Sequence, residues 1–479
     1  MSYIYKQSIG GSWQDASNGG SWDVVNPATE EIIRTVPFGN AEDCRQAIDA
    51  AAVAFARWSQ KTAYDRAGML KRAADLMRTR VADLARTTVL ESGKPIAQAK
   101  GEWGVAADLF EWFAEEAKRA YGRWVPSRNS GRRQVVIKQP VGVVGMITAW
   151  NFPAYNVARA AAAALAAGCT VVLRPSEYTP LTAMEMVNLL IEAGLTGGEV
   201  NLINGEPESM GQQMLSNPKC AKLHFTGSQR VGKLLMDGAS QTVTRLSLEL
   251  GGNAPVLIFP DVNLDQAAAG AVAAKFRNGG QVCISPQRFF VHGSIAGEFT
   301  GRVSAMVSKL RVGSGLEPES NVGPLINARQ RDRVEEMVGA ARTAGAAISV
   351  GGDRPRDLPR GYFYQPTVVT NVPVETALFQ NEIFGPVMPI ATFEQADQAV
   401  EEANRTRYGL SAYVWTNDLR TAMRTAERLE FGMVGVNEWA PQSVEVPFAG
   451  WKESGLGREA GAEGLEEYLE TKLIAIGGL

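Results

Sequence analysis

The chain has 479 residues, 45% of them hydrophobic, and 48 Lys and Arg stand against 51 Asp and Glu for a formal net charge of −3. So even a balance, with no basic stripe, argues against a nucleic-acid footprint, and the length predicts two or three domains rather than one core. Two histidines (His224, His292) and four cysteines (Cys44, Cys169, Cys220, Cys283) make no CxxC and no His cluster, which argues against a metal site, a haem attachment motif and a disulfide framework.

Met1–Lys6 show no basic start followed by an apolar run, so no signal peptide is expected, and free cysteines suit a reducing cytoplasm. From about residue 41 to 120 the pattern is helical: Ala47, Ile48, Ala51, Ala54 and Phe55 keep 3.6-type spacing, as do Leu70, Ala73, Ala74 and Met77. Residues 132–138 read as an extended ribbon. The longest uncharged stretch, Gln139–Ala158, carries Pro140, Asn151, Pro153 and Asn156, so it predicts two buried pieces joined by a turn, not a membrane span.

Between 141 and 260 short apolar runs alternate with helices: Val141–Ala149, Thr170–Leu173, Val200–Ile203, Leu223–Thr226, Leu246–Leu250 and Val256–Phe259. That texture predicts a parallel sheet covered on both faces. One helix is punctuated by Thr179 as N-cap, Pro180 in the first turn and Gly194 at the end. A second α/β alternation runs from about 264 to 436, with strands at Arg288–His292, Val387–Phe393 and Met433–Asn437, and the tail Glu466–Ile476 predicts a closing strand. Two α/β domains result, with a ribbon and tail that meet each other or another subunit.

Leu223–Leu234 fits G-x-x-x-x-G-K between a strand and a helix, but the motif's last position needs a hydroxyl for Mg²⁺ and holds Leu234. A strand running into Gly227 and an N-capping Ser228 still offers backbone N–H groups to an anion such as a dinucleotide pyrophosphate. Gly455-Leu-Gly457-Arg-Glu-Ala460 matches G-x-G-x-x-A only formally, since no strand is predicted ahead of it.

Three segments embed a reactive residue in apolar or glycine-rich surroundings: Asn151 before Phe-Pro, Glu249 before Leu-Gly-Gly, and Cys283 after Gly-Gly-Gln-Val. Glu249 ends an apolar strand, where an α/β sheet presents groups to its crevice and desolvation raises a carboxyl towards a general base. Cys283 follows glycines that let backbone approach a ligand closely. Each residue singly has an ordinary structural reading, and Cys44, Cys169 and Cys220 keep theirs.

Together, in order, Asn151-Phe-Pro, Arg174-Pro-Ser-Glu177, Phe225-Thr-Gly-Ser228, Glu249-Leu-Gly-Gly252, Gly280-Gln-Val-Cys283, Glu382-Ile-Phe-Gly-Pro386 and Pro447-Phe through Lys452-Glu-Ser-Gly455 resemble the NAD(P)-dependent aldehyde dehydrogenase superfamily over nearly the whole chain. The resemblance implies an α/β fold of two Rossmann-like domains plus a small oligomerisation β-ribbon. It divides the chain into 1–125 with 141–250 for NAD, 251–440 for catalysis, and 126–140 with 460–479 for ribbon and tail. It also implies a homodimer or homotetramer.

The implied mechanism has the Cys283 thiolate attack an aldehyde, with the Asn151 amide and the Cys283 N–H stabilising the oxyanion. Hydride passes to nicotinamide, and Glu249 activates water to hydrolyse the thioester. Glu382 and Phe384 would hold the nicotinamide ribose and ring, and Gly227 and Ser228 would meet the pyrophosphate. Ile147, Trp150, Ser176, Gly205, Phe225, Val231 and Leu250 would line the cofactor. Arg174, where the family usually has Lys, would bond the adenosine ribose. Glu177 would accept from the 2′-hydroxyl and repel a 2′-phosphate, favouring NAD, while Arg174 leaves NADP open.

Within the superfamily the chain is most similar to the succinate-semialdehyde branch and its 2-oxoglutarate-semialdehyde relatives. In that branch the positions of Arg159 and Arg277 bind the substrate's distal carboxylate, and paired cations suit an acidic aldehyde. Where succinate-semialdehyde enzymes place a Ser anchor, Gln442 falls, with Ser443 beside it. Ser285 stands where a second cysteine is common. Both departures leave room for a longer or more polar acid.

Overall fold

The computed structural model describes residues 5–478. Among them, an eight-stranded sheet has the order Ser12–Gln14, Gln7–Ile9, Val200–Leu202, Thr170–Arg174, Val143–Ile147, Cys220–Thr226, Arg245–Glu249 and Gly455–Leu456. The five strands from Val200–Leu202 to Arg245–Glu249 are parallel. Val143–Ile147 and Thr170–Arg174 are buried along their whole length, as strands covered on both faces require.

The strands expected between 141 and 260 are parallel, although Ala254–Ile258 belongs to a second sheet. Both edges of the first sheet are closed by segments from outside that range. Gln7–Ile9 and Gly455–Leu456 pair antiparallel. Short segments from the two ends of the chain close the row of open N–H and C=O groups, a common way of blunting a sheet edge. Successive strands run outward from Val143–Ile147 in one direction and then, from Cys220–Thr226, in the other. The resulting switch point lies between those two strands, where α/β sheets bind ligands at their C-terminal ends.

A seven-stranded sheet follows, in the order Ala347–Val350, Thr367–Thr370, Val387–Phe393, Pro286–His292, Ala254–Ile258, Ser411–Trp415 and Met433–Val436. Only Ala347–Val350 runs antiparallel. The last parallel strand of the first sheet ends at Glu249 and the first strand of the second begins at Ala254, so Leu250–Asn253 is the hinge between them.

The helix Ala41–Trp58 starts in a capping box: Asn40 accepts from Glu42 N–H and Asp43 reaches back to the Asn40 N–H. Its stripe of Cys44, Ala47, Ile48, Ala51, Ala54 and Trp58 is buried. The helix Pro180–Glu192 corrects one expectation. Thr179 stands at the N-cap without capping, its hydroxyl lying 3.4 Å from the Trp150 carbonyl. The Leu181 and Thr182 N–H groups donate instead to the buried Glu91 carboxylate, at 2.7 and 2.8 Å. Glu91 offers two oxygens to two N–H groups where the threonine hydroxyl offers one, although burial raises its carboxyl to about 8.

The ribbon and tail do meet. Arg132–Pro140 pairs antiparallel with Leu469–Gly477 from Pro140↔Leu469 to Arg132↔Gly477, and Arg123–Val125 lies on the other side. Trp124, Leu473, Ile474 and Ile476 are exposed on it. Among the described residues, no helix is long and apolar enough to cross a membrane, and no group of three or more His, Cys, Asp or Glu could hold a metal ion.

Candidate active site

Cys283 follows the helix Leu264–Phe276 through a left-handed run at Asn278, Gly279 and Gly280, with φ of 51°, 60° and 72°. A side chain at Gly280 would place its Cβ 2.1 Å from the Gly385 carbonyl oxygen, so glycine is needed there. Gln281 pins the loop, accepting from Ile326 N–H at 2.9 Å and donating to the Asn278 carbonyl at 3.0 Å. Of the four cysteines, Cys283 alone is partly exposed.

Glu249, the last residue of its strand, is buried beside Cys283, and each group shifts the other's proton affinity. Burial pushes its carboxyl up to about 8, with Arg159 opposing and Glu459 reinforcing the shift. Burial and the facing Glu249 likewise hold the Cys283 thiol well above its ordinary range. The hinge brings the two segments together: a Cβ on Gly252 would lie 2.3 Å from the Cys283 carbonyl oxygen.

Asn151 completes the group. Its side-chain amide donates to the Gln281 carbonyl at 3.2 Å, and its own oxygen accepts from Asn156 at 3.2 Å, which orients the NH₂ towards the Cys283 loop. One amide hydrogen is thereby left for an oxyanion.

A cavity of about 490 Å³ opens on Cys283 and is lined by Phe152, Tyr155, Arg159, Arg277, Gln442 and Ser443, among others. Arg159 is fully buried between aromatic faces, its guanidinium 4.2 Å from the Phe448 ring centre and 4.8 Å from that of Tyr155. Arg277 lies 5.1 Å from the centre of the Phe152 ring. The Gln442 side-chain oxygen is buried with no protein partner.

At the C-terminal strand ends, Trp150 and Phe384 meet edge to face with centroids 5.3 Å apart. Phe384 is held at φ 53°, a backbone state costing about 1–3 kcal/mol for a residue other than glycine. Glu382 accepts from Gly252 N–H at 3.0 Å, and burial raises it to about 7 against that bond. Arg174 donates to the Gly205 carbonyl at 2.8 Å and pairs with Glu177 at 2.9 Å.

One element of the anion reading needs correction. The Gly227 N–H is committed to the Glu249 carbonyl at 2.9 Å, and the Ser228 hydroxyl caps its helix by accepting from Val231 N–H at 3.4 Å. Donors to an anion must therefore come from the first turn of Gln229–Ser240, not from Gly227.

Residues 13–474 match the Aldehyde dehydrogenase family. The chain belongs to that family. It is 42% identical over 478 residues to the NADP(+) succinate-semialdehyde dehydrogenase GabD of Escherichia coli K12, covering 99% of each. To a glutarate-semialdehyde dehydrogenase of Pseudomonas aeruginosa it is 43% identical over 471 residues, covering 98% of this chain and 97% of the relative. The crystal structure of succinate-semialdehyde dehydrogenase from Burkholderia pseudomallei matches with TM-score 0.97 at 43% identity, over 98% of each chain. The fold is thus that of an aldehyde dehydrogenase, and the chain is an oxidoreductase acting on aldehydes with a nicotinamide cofactor.

The residues of this aldehyde dehydrogenase fit such a cofactor. Thr226 Oγ1 and both side-chain amide atoms of Asn204 are buried without protein partners. They follow two strands of the parallel set, beside the switch point and the Arg174–Glu177 pair. Ile147, Phe225 and Leu250 are buried apolar residues at neighbouring strand ends, Val231 is partly buried on the helix after Ser228, and Ser176 accepts from Tyr178 N–H at 3.3 Å.

Four supporting residues escape sequence reasoning. Lys94 and Glu102 form a fully buried ion pair. Lys94 also donates to the Asn151 carbonyl at 2.8 Å, and Glu102 accepts from Ala154 and Tyr155 N–H at 2.8 and 3.2 Å, capping the helix that follows. The available signal is Glu102 on the buried face of its helix, level with Ala99, Trp103 and Ala106. Glu459 lies against Arg159, and His224 stands behind Glu459. Contrary to expectation a two-residue strand, Trp451–Lys452, does precede the G-x-G-x-x-A match, but it pairs in a separate ribbon. The match itself opens with Gly455–Leu456 at the edge of the first sheet and forms no dinucleotide turn.

Proposed function

We propose that this chain oxidises a short aldehyde bearing a distal carboxylate, such as succinate semialdehyde or a five-carbon homologue, irreversibly to the free acid. The observation carrying this reading is one cavity that joins a partly exposed thiol to two arginines, with a buried carboxylate behind the thiol. Cys283 gives up its proton to solvent, and the thiolate attacks the aldehyde carbon. The Asn151 amide and the Cys283 backbone N–H stabilise the oxyanion of the thiohemiacetal. When bound across the crevice, a nicotinamide dinucleotide supplies the acceptor for the hydride lost from that carbon, and a thioester on Cys283 results. Glu249 then draws a proton from water, which favours hydrolysis over transfer to coenzyme A.

Residues 1–125 and 141–250 form the dinucleotide domain in this reading, and 251–440 form the catalytic one. The first turn after Ser228 receives the pyrophosphate, Trp150 and Phe384 flank the ring, and Glu382 turns to the ribose. Exposed apolar residues on the ribbon favour a second copy there, in a dimer or tetramer.

Glu177 favours NAD, because its carboxylate would face a 2′-phosphate, although GabD is named for NADP(+). Glu177→Ser is expected to raise the NADP-to-NAD ratio of kcat/KM on the order of tenfold, since one like-charge contact is removed. An unchanged ratio would place the discrimination elsewhere.

The substrate reading is tested with an NAD(P)H-formation panel of four- and five-carbon semialdehydes against uncharged aldehydes of equal length. Arg159→Ala is expected to raise KM for the acidic members at least about tenfold, the size of one lost charge-assisted contact, and for the neutral ones far less. Equal effects on both classes would sink the carboxylate clamp.

A further inference from the structure

Arg159 is engaged before any substrate arrives. Its Nε lies 2.8 Å from Glu459 Oε2 and its Nη2 3.9 Å from Glu249 Oε2, while Nη1 is buried with no protein partner. Glu459 Oε1 in turn lies 2.9 Å from His224 Nε2, and His224 Nδ1 lies 3.1 Å from the Tyr468 hydroxyl. Arg159, His224, Glu459 and Tyr468 are all more than nine-tenths buried. They come from four places: the helix after Asn151, the strand Cys220–Thr226, the turn after Gly455–Leu456, and the residue before the tail strand Leu469–Gly477.

The Tyr468 hydroxyl and His224 Nδ1 are within hydrogen-bond reach, whereas His224 Nε2 and Arg159 Nε approach the two Glu459 oxygens closely as charged and polar neighbours without aligned hydrogen bonds. Burial works against a charge on Glu459, but Arg159 and His224 together outweigh it and hold Glu459 below the ordinary carboxylate range. The Arg159 charge therefore faces both Glu459 and Glu249, and its Nη1 turns to neither.

We infer that His224, backed by Tyr468, is a positioning residue for substrate selection: it fixes Glu459 against Arg159, and so leaves the Arg159 Nη1 edge for the substrate's distal carboxylate. This rests on the clamp role proposed above for Arg159. Without His224, Glu459 loses one of its two close polar neighbours and its placement against Arg159 slackens. The nearest other anion is Glu249, and a guanidinium drawn onto it leaves the substrate without its clamp. The arrangement also ties acid recognition to the tail, because Tyr468 leads directly into the ribbon strand.

The test compares three variants with the parent enzyme on succinate semialdehyde and on butanal, an uncharged aldehyde of the same length. His224→Phe keeps ring bulk without a donor, His224→Gln returns an amide N–H near the Nε2 position, and Tyr468→Phe removes only the supporting hydroxyl. His224→Phe is expected to raise KM for succinate semialdehyde about tenfold and to leave KM for butanal within about twofold, as for loss of one close polar neighbour of a charged group. His224→Gln should recover most of the loss, and Tyr468→Phe should fall between. Equal shifts for both aldehydes, no shift, or a His224→Gln as impaired as His224→Phe would overturn the inference. Should His224→Phe fail to fold, Tyr468→Phe carries the same comparison. An Arg159→Ala effect that is itself unselective would sink the clamp, whereas a selective Arg159→Ala beside an unselective His224→Phe would sink only the role of His224.

Discussion

Replacing Cys283 with alanine is expected to lower aldehyde-dependent NAD(P)H formation by at least about 10³-fold, while dinucleotide binding, followed by calorimetry, stays near the parent value. The size follows from what the other thiols can offer. Cys44, Cys169 and Cys220 are buried, and burial raises them to about 12, 11 and 11, so none can supply a thiolate to the cavity. Cys283 is also raised by burial and by Glu249, yet it alone of the four is partly exposed and lines the cavity that an aldehyde enters. Activity within tenfold of the parent would place the nucleophile elsewhere.

Glu249→Gln is expected to divide the reaction in two. The glutamine keeps the shape of the site but cannot take a proton, so deacylation should fall about 10²–10⁴-fold, the usual worth of a positioned base. Rapid mixing should show a burst of NAD(P)H approaching one equivalent per site, then slow turnover. The sign of the pH dependence follows from the shift. Because burial raises Glu249 to about 8, its basic form grows as pH rises through that value, so parent deacylation should climb and then flatten above it. Glu249→Gln should lack this limb. A variant with no burst would mean that acylation also depends on Glu249, and one with an intact limb would assign the base to another group.

Much of this site is legible in the sequence because its chief residues break a local rule. Glu249 closes an apolar strand and Cys283 follows glycines, and in the fold Glu249 stays buried at its strand end while Cys283 lines the cavity. The parallel strands are readable for a similar reason: buried on both faces, they leave nearly unbroken apolar runs. The contacts made across long sequence distance leave no such trace. His224 and Tyr468 are 244 residues apart, Lys94 and Asn151 57 apart, and neither partner announces the other. The antiparallel edge strands are only two or three residues long, too short for alternation to show. Thr179 has the right chemistry for an N-cap, and only the tertiary placement of Glu91 displaces it.

The sparse histidine count also changes meaning. Neither histidine touches Cys283 in this arrangement, so none is needed as a general base, but His224 supports the ion pair that shapes the substrate cavity. Composition can show that a residue type is scarce; it cannot show that one copy stands three contacts from Glu249.

The most direct measurement traps the covalent intermediate. Glu249→Gln enzyme is mixed with NAD(P) and succinate semialdehyde, quenched in acid and analysed by intact-protein and peptide mass spectrometry. The account predicts one succinyl group per chain, on the peptide containing Cys283 and absent when the dinucleotide is omitted. NAD(P)H formation with an unmodified Cys283, or an acyl group on any other residue, would contradict it.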